Sequence, residues 1–260
     1  MRTGELEHRY GPKVHILDSP VLATWLARIG SPETPIPELR PLLRHIYEAL
    51  LLAAIAGEFP TREAEVPTRM MQVTEHGVFR GRILDRSQEV VIACLVRAGV
   101  LPSEICYEVL CRLLDPSKIR IDYLSMSRSL DAEGRVTGTK DSGLKIGGPI
   151  KDAVLLIPDP MGATGGTVAR TLEIYRELDL GPARKTLALP MISTPEFFRR
   201  LIAGFPDLEI YTGRLDRGLS PPEALSQPPG THPEERGLTD NQYIVPGAGG
   251  VGEVLTNAWV

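Results

Sequence analysis

Residues 153–175, AVLLIPDPMGATGGTVARTLEIY, constrain the fold of this chain more than any other stretch. An apolar run ends in an acid, Asp159; a tight loop of Gly, Ala and Thr follows, and a helical pattern opens at Thr167. A strand that passes into a helix through a short glycine loop belongs to a βαβ unit, and such units build parallel sheets covered by helices. The same turn is an anion site. Backbone N–H groups at the helix N-terminus, with the hydroxyls of Thr164 and Thr167, can surround a phosphate. Asp159 stands at the carboxyl end of the strand, where open α/β sheets bind ligands, and can accept from two vicinal sugar hydroxyls. A phosphate site one loop away from a diol acceptor suits a ribose 5-phosphate. No Lys follows the glycines, so this is not a Walker loop. A merely structural βα turn has no need of Gly162, Gly165 and Gly166 together with two threonines.

The rest of the chain repeats the strand–helix alternation. EVVIACLV (89–96) is a compact β-branched run, and SEICYEVLCRLL follows it with helical period. KIRIDYLSM, AVLLIP (153–158) and KTLALPMI (185–192) read as further strands, with a helix, TVARTLEIYREL (167–178), between the last two. Residues 39–56 form the best helix of the N-terminal third, stopped by Gly57 and Pro60, while residues 1–20 look irregular. These elements predict one α/β domain over residues 1–260, with a mostly parallel central sheet flanked by helices. Two stretches break the rhythm. Residues 125–148 are long, polar and rich in Ser, Gly, Thr and Lys, which predicts a mobile lid loop; residues 220–241 are a Pro-rich insertion expected on the surface.

Composition excludes several classes. A net charge of −4 with scattered Lys and Arg gives no footprint for nucleic acid or an anionic membrane. No apolar run is long enough to span a bilayer, and the polar start MRTGELEHRYG predicts a cytoplasmic protein. Cys94, Cys106 and Cys111 are odd in number with no CxxC, so a disulfide framework is not expected; all three read as core residues rather than nucleophiles. The five histidines are scattered without paired spacing, so no protein-bound metal is expected. GAGGVG (247–252) matches GxGxxG, but too few residues follow it for a dinucleotide-binding unit.

DPMGATGGT resembles the DPMLATGGS signature of uracil phosphoribosyltransferases, a branch of the type I phosphoribosyltransferases. CLVRAG (94–99) is similar to that family's ILRAG, FPDLEIYTGRLD (205–216) to its HPDV…D segment, and YIVPGAGGVG (243–252) to its YIVPGLGDAG. The similarity runs in order from about residue 14 to residue 252.

The resemblance implies a type I fold with a C-terminal hood over the base site, formed by residues 242–260. It implies transfer of ribose 5-phosphate from phosphoribosyl diphosphate to uracil, giving UMP and diphosphate. Mg²⁺ would be bound through the diphosphate, and the protein would be a homodimer or higher oligomer. Asp159 would hold the ribose hydroxyls. The phosphoribosyl diphosphate loop would comprise Pro160, Met161, Gly162, Ala163, Thr164, Gly165, Gly166 and Thr167, with the last five on the 5-phosphate. Arg97 and Arg128 would contact the diphosphate, with Lys145 a further cationic candidate. Uracil would be read by backbone at Tyr243, Ile244, Gly249, Gly250 and Val251.

Three departures stand against the family pattern. Gly250 replaces an Asp, with Glu253 three positions on as a candidate to compensate. The family's Arg-Asp/Asn-Glu-Glu-Thr loop has become Arg128-Ser129-Leu130-Asp131, and Pro158 precedes Asp159 where a β-branched residue is usual. Two alternatives therefore keep the donor site: a phosphoribosyltransferase for another base, and a nucleotide or phosphoribosyl diphosphate sensor.

Overall fold

The computed structural model describes residues 4–130 and 136–257. The chain opens with strand β1 (Val14–Ile16), helix α1 (Pro20–Ile29) and the long helix α2 (Ile36–Glu58). The hairpin β2 (Thr61–Pro67) and β3 (Val78–Leu84) leads to β4 (Val90–Val96), α3 (Val100–Leu113), β5 (Ile119–Leu130) and β6 (Val136–Lys145). Then come β7 (Val154–Ile157), β8 (Met161–Gly162), α4 (Gly166–Glu177), β9 (Lys185–Ala188), β10 (Ile192–Ser193) and α5 (Pro195–Gly204). The chain closes with β11 (Leu208–Thr212), β12 (Arg214–Leu215), α6 (Pro222–Leu225) and α7 (Val251–Thr256).

Seven strands form the main sheet in the order β1-β11-β9-β7-β4-β5-β6, parallel throughout except for the β5–β6 pair. The strand period explains how one sheet serves two cores. Val90 and Ile92 of β4 and Leu156 of β7 pack with α1, α2 and α3, whereas Val91, Ala93, Leu155 and Ile157 pack with α4 and α5. With both faces covered, β4 and β7 read as continuous apolar runs. Each fully buried Leu or Ile stabilises the fold by about 1.5–3 kcal/mol. Cys94 and Cys106 lie buried in this interior with free thiols. Among the described residues, no helix is long and apolar enough to cross a membrane.

Several expectations need correction. Residues 125–130 and 136–145 are not loop: they are the paired arms of the antiparallel β5–β6 hairpin, with Ser125 opposite Gly143 and Arg128 opposite Thr139. The arms are polar in sequence, and at Asp141 β6 is held to α4 by an ion pair with Arg170 (2.8 Å). Residues 1–20 hold β1, an edge strand in register with β11. The Pro-rich stretch is mostly exposed and is anchored through a few buried residues. Its Glu235, 1% exposed, accepts from Arg217 Nη1 (2.6 Å), Tyr10 Oη (2.7 Å) and Gly230 N (2.8 Å). The long helix extends beyond 39–56 to Ile36–Glu58, running through Pro41.

Candidate active site

The loop after β7 is held by backbone packing. Gly162 lies in β8, beside Ser193 of β10, and an added Cβ would stand 3.0 Å from both Pro190 Cβ and Ser193 Oγ. Thr194 N donates to Gly162 O (3.1 Å) and Thr194 Oγ1 to Ala163 O (2.6 Å), while the same hydroxyl caps α5 by accepting from Phe197 N (3.1 Å). Gly165, at the start of α4, has φ +73°, a left-handed conformation that favours glycine. No side chain caps α4 there, and Gly166 N reaches Thr164 Oγ1 only at 3.3 Å. The first N–H groups of α4 thus have no side-chain cap, the arrangement in which a helix start can receive an anion.

Asp159 enters this loop half-buried, and the Met161 N–H donates to its carboxyl. Burial outweighs that hydrogen bond and pushes the carboxyl up to about 6. The next strand contributes the neighbouring turn. β4 pairs with β7, so Arg97, exposed just past β4, emerges on the same edge of the sheet as Asp159. Gly99 closes that turn: an added Cβ would meet Leu95 O at 2.8 Å and Pro158 O at 3.3 Å.

The cationic candidates divide. Val96 is in register with Ser125, so Arg128 lies three residues beyond that edge, roughly 10 Å further along β5. Lys145 pairs with Tyr123, which is level with Cys94, so its backbone lies below the edge that carries Arg97. The structure does not bring Lys145 to the ligand edge as it brings Arg97.

Residues 243–256 arrive at the same edge from a distant part of the chain. Ile244 bridges to Leu238, and Tyr243, 55% exposed, accepts through its carbonyl from Thr239 N (2.9 Å). The turn at Gly247 is clamped by two side chains that sequence reading did not single out. Asp216 Oδ2 accepts from Gly247 N (2.7 Å), and Arg214 Nη2 donates to Gly247 O (2.9 Å). The clamp is itself a bidentate pair, Arg214 to Asp216 at 2.6 and 2.8 Å, with Asp216 only 2% exposed. Such forks are the stronger kind of hydrogen bond. Gly30, at the end of α1, gives the turn room, since a Cβ there would come within 3.0 Å of Gly247 O.

Val251 is buried against the α2 side of the core, and Gly252 abuts the Arg97 turn, where its Cβ would stand 3.1 Å from Ala98 Cβ. The hood segment and the phosphate edge are therefore in contact. Gly249 has φ +68°, whereas Gly250, at φ −78°, is not conformationally bound to be glycine. A Cβ at Gly250 would run into the Glu253 carboxylate, which folds back over it from the first turn of α7. The sequence signals for the clamp were the Arg-x-Asp spacing of 214 and 216 at the end of an apolar strand and the resemblance of 205–216 to a family segment that ends in Asp.

Comparison with known proteins shows the family of the chain. A family model described as uracil phosphoribosyltransferase matches residues 16–230. The chain belongs to the uracil phosphoribosyltransferase family. The uracil phosphoribosyltransferase of Dictyoglomus thermophilum is 25% identical over 242 residues, covering 93% of this chain and 98% of that protein. That of Synechococcus elongatus is 24% identical over 94% of this chain and 96% of its own. The AQ2163 protein of Aquifex aeolicus shares the fold, with a TM-score of 0.70 at 22% identity over 95% of this chain and 99% of that one. The uracil phosphoribosyltransferase family places the chain among the pentosyltransferases, and its helix-flanked parallel sheet is the type I phosphoribosyltransferase architecture.

Proposed function

We propose that this protein transfers ribose 5-phosphate from phosphoribosyl diphosphate to uracil, giving UMP and diphosphate, as a cytoplasmic homo-oligomer. The observation that carries the reading is the contact between Gly252 and Ala98, the residue next to Arg97, which supports a C-terminal segment close to the donor site. In this reading Asp159 accepts from the ribose hydroxyls, and the amides and hydroxyls of Ala163, Thr164, Gly165, Gly166 and Thr167 enclose the 5-phosphate. Arg97 and Arg128 face the diphosphate. As the bond from C1 to the diphosphate breaks, positive charge grows on the sugar ring and negative charge on the leaving group. Fixed cations at the leaving group supply the main stabilisation.

The chemistry here fits Mg²⁺ carried by the substrate. Among the described residues, no group of three His, Cys, Asp or Glu ligands converges at this edge, so the diphosphate oxygens would hold the ion, with Asp159 the nearby hard donor. Mg²⁺ supplies charge neutralisation on the diphosphate. The β5–β6 hairpin is proposed to close over the donor and exclude water. Donor should then slow amide exchange along both arms, and equal exchange with and without donor removes the lid role.

Glu253 is proposed to take the place of the family carboxylate missing at Gly250. Gly250→Asp should therefore bring no gain with uracil, because the new side chain competes with Glu253 for one space. The deciding experiment incubates protein, phosphoribosyl diphosphate and Mg²⁺ with a panel of nucleobases. UMP as the main product supports the reading. A different nucleotide overturns the choice of base, and donor binding with no product on any base favours a sensor.

A further inference from the structure

Three strands across the sheet from β7, a second cluster of chemically capable side chains takes no part in the proposed reaction. His15 of β1, Glu58 at the end of α2 and Glu209 of β11 offer ligand atoms that all lie within 4.8 Å of one another. We propose that these three residues bind a divalent d-block cation of the zinc class.

The geometry around His15 carries the argument. The ring is 6% exposed and stacks on Tyr211 at 4.2 Å between centroids. Its Nδ1 lies 3.2 Å from Glu5 Oε1, while Nε2 is buried and makes no hydrogen bond. The nearest carboxylate oxygen to Nε2 is Glu209 Oε2, at 3.5 Å. Nδ1 lies against Glu5, and Nε2 faces Glu209 Oε2 with no hydrogen bond of its own. A metal cation between Nε2 and the carboxylates would satisfy this buried nitrogen and the oxygens together. A carboxylate on the far ring nitrogen is also how zinc-bound histidines are commonly oriented.

Size and charge agree. Zinc takes imidazole nitrogen and carboxylate oxygen at about 2.0–2.2 Å in a tetrahedron, so its ligand atoms stand about 3.4 Å apart, and the present set, within 4.8 Å, draws in around the ion through side-chain rotation. An imidazole with two carboxylates favours such a cation over Mg²⁺ or Ca²⁺. Two carboxylates, Glu58 and Glu209, belong to the cluster, and a third, Glu5, borders it at His15 Nδ1. Lys185 is the present counter-charge, with Nζ 3.0 Å from Glu58 Oε2 and 3.1 Å from Glu209 Oε1. Its side chain is 38% exposed and can swing into solvent when an ion enters. Tyr211 Oη steadies Glu58 by donating to Oε1 (2.8 Å). The bound ion would tie the edge strand β1 to α2 and β11. The histidine spacing could not show this set, because its members come from three distant segments.

The test uses the full chain with metal alone and no phosphoribosyl diphosphate. Co²⁺ is titrated by its visible absorption, followed by Zn²⁺ competition and thermal melts in Zn²⁺. One equivalent per chain is expected, with melting raised by mass action. His15→Gln and Glu209→Gln should each weaken binding at least ten-fold and remove the cobalt bands. Lys185→Met, which removes the competing ammonium, should tighten binding about ten-fold. A purely structural ion-pair cluster would instead lose stability in that variant and gain no metal affinity. Absence of cobalt bands in both the natural protein and Lys185→Met overturns the proposal, as do bands that persist unchanged in His15→Gln. If His15→Gln fails to fold, Lys185→Met decides alone: tighter binding sustains the site, and unchanged or weaker binding overturns it.

Discussion

The phosphate loop and the hood share one edge of the sheet, yet they are built on different principles. The loop is a backbone device. Its shape comes from Gly162 pressed against Pro190 and Ser193, from Gly165 at a positive φ, and from carbonyls held by Thr194. The hood is a side-chain device: its turn at Gly247 is clamped from another strand by Arg214 and Asp216, and a carboxylate reaches it from Glu253 rather than from position 250. A backbone site can change little without losing its glycines. A side-chain site can move a functional group along the chain while the space it fills stays the same. The signature at 159–167 accordingly keeps Gly165 and Gly166 and differs from the family's only at Gly162 and Thr167, whereas 247–254 drifts further.

The sharpest way to break the comparison is to disable the hood while sparing the loop. Asp216→Ala leaves Arg214 without its carboxylate and Gly247 N without its acceptor. Removing one partner of a buried pair costs about 3–5 kcal/mol. Denaturant unfolding should show a loss of that order, and uracil turnover should collapse while donor affinity in the folded fraction changes little. Parallel loss of donor affinity would mean that the two regions are not separable.

Asp159→Asn attacks the other side. The amide accepts less well from two hydroxyls, and losing charge-assisted hydrogen bonds costs about 1.5–3 kcal/mol, or roughly ten- to a hundred-and-fifty-fold in donor affinity by calorimetry. Stability should move the opposite way. Because burial raises the Asp159 carboxyl to about 6, the native state holds that proton more tightly than the unfolded chain does. The associated stability is present at low pH and is lost as pH rises through about 6. The Asn variant should therefore be more stable than the natural protein above pH 6, by about 1–3 kcal/mol, with the gain vanishing below pH 4. Donor affinity of the natural protein should fall as pH drops below about 6, and that dependence should be absent in the variant.

Gly165→Ala probes the backbone principle itself. A side chain at φ +73° is strained, and its Cβ would stand 3.1 Å from Leu201 Cγ. The expected loss is about 1–2 kcal/mol in stability, with weakened phosphate binding.

How far the fold was legible follows the same division. The β4, β7 and β9 runs announced a parallel sheet because both of their faces are buried, so the apolar pattern needed no context. The Asp159–Thr167 loop was legible because its chemistry is written in glycine and threonine. The paired arms at 125–130 and 136–145 were not, since their polar residues carry no apolar alternation. Residues 1–20 hid β1 for a related reason, three residues being too few to show a period. Arg214, Asp216 and Thr194 went unnoticed because their partners lie on other elements, and only folding brings them together.

The central claim is that the base-binding half has kept its carboxylate by moving it to Glu253. Steady-state kinetics with saturating donor, comparing the natural protein with Glu253→Gln, test it most directly. The account predicts a five- to ten-fold fall in kcat/KM for uracil, about 1 kcal/mol or slightly more, with donor affinity and melting temperature unchanged. It also predicts that Gly250→Asp restores part of the loss on a Glu253→Ala background, where the space beside position 250 is free. Uracil kinetics indifferent to Glu253→Gln would contradict the account.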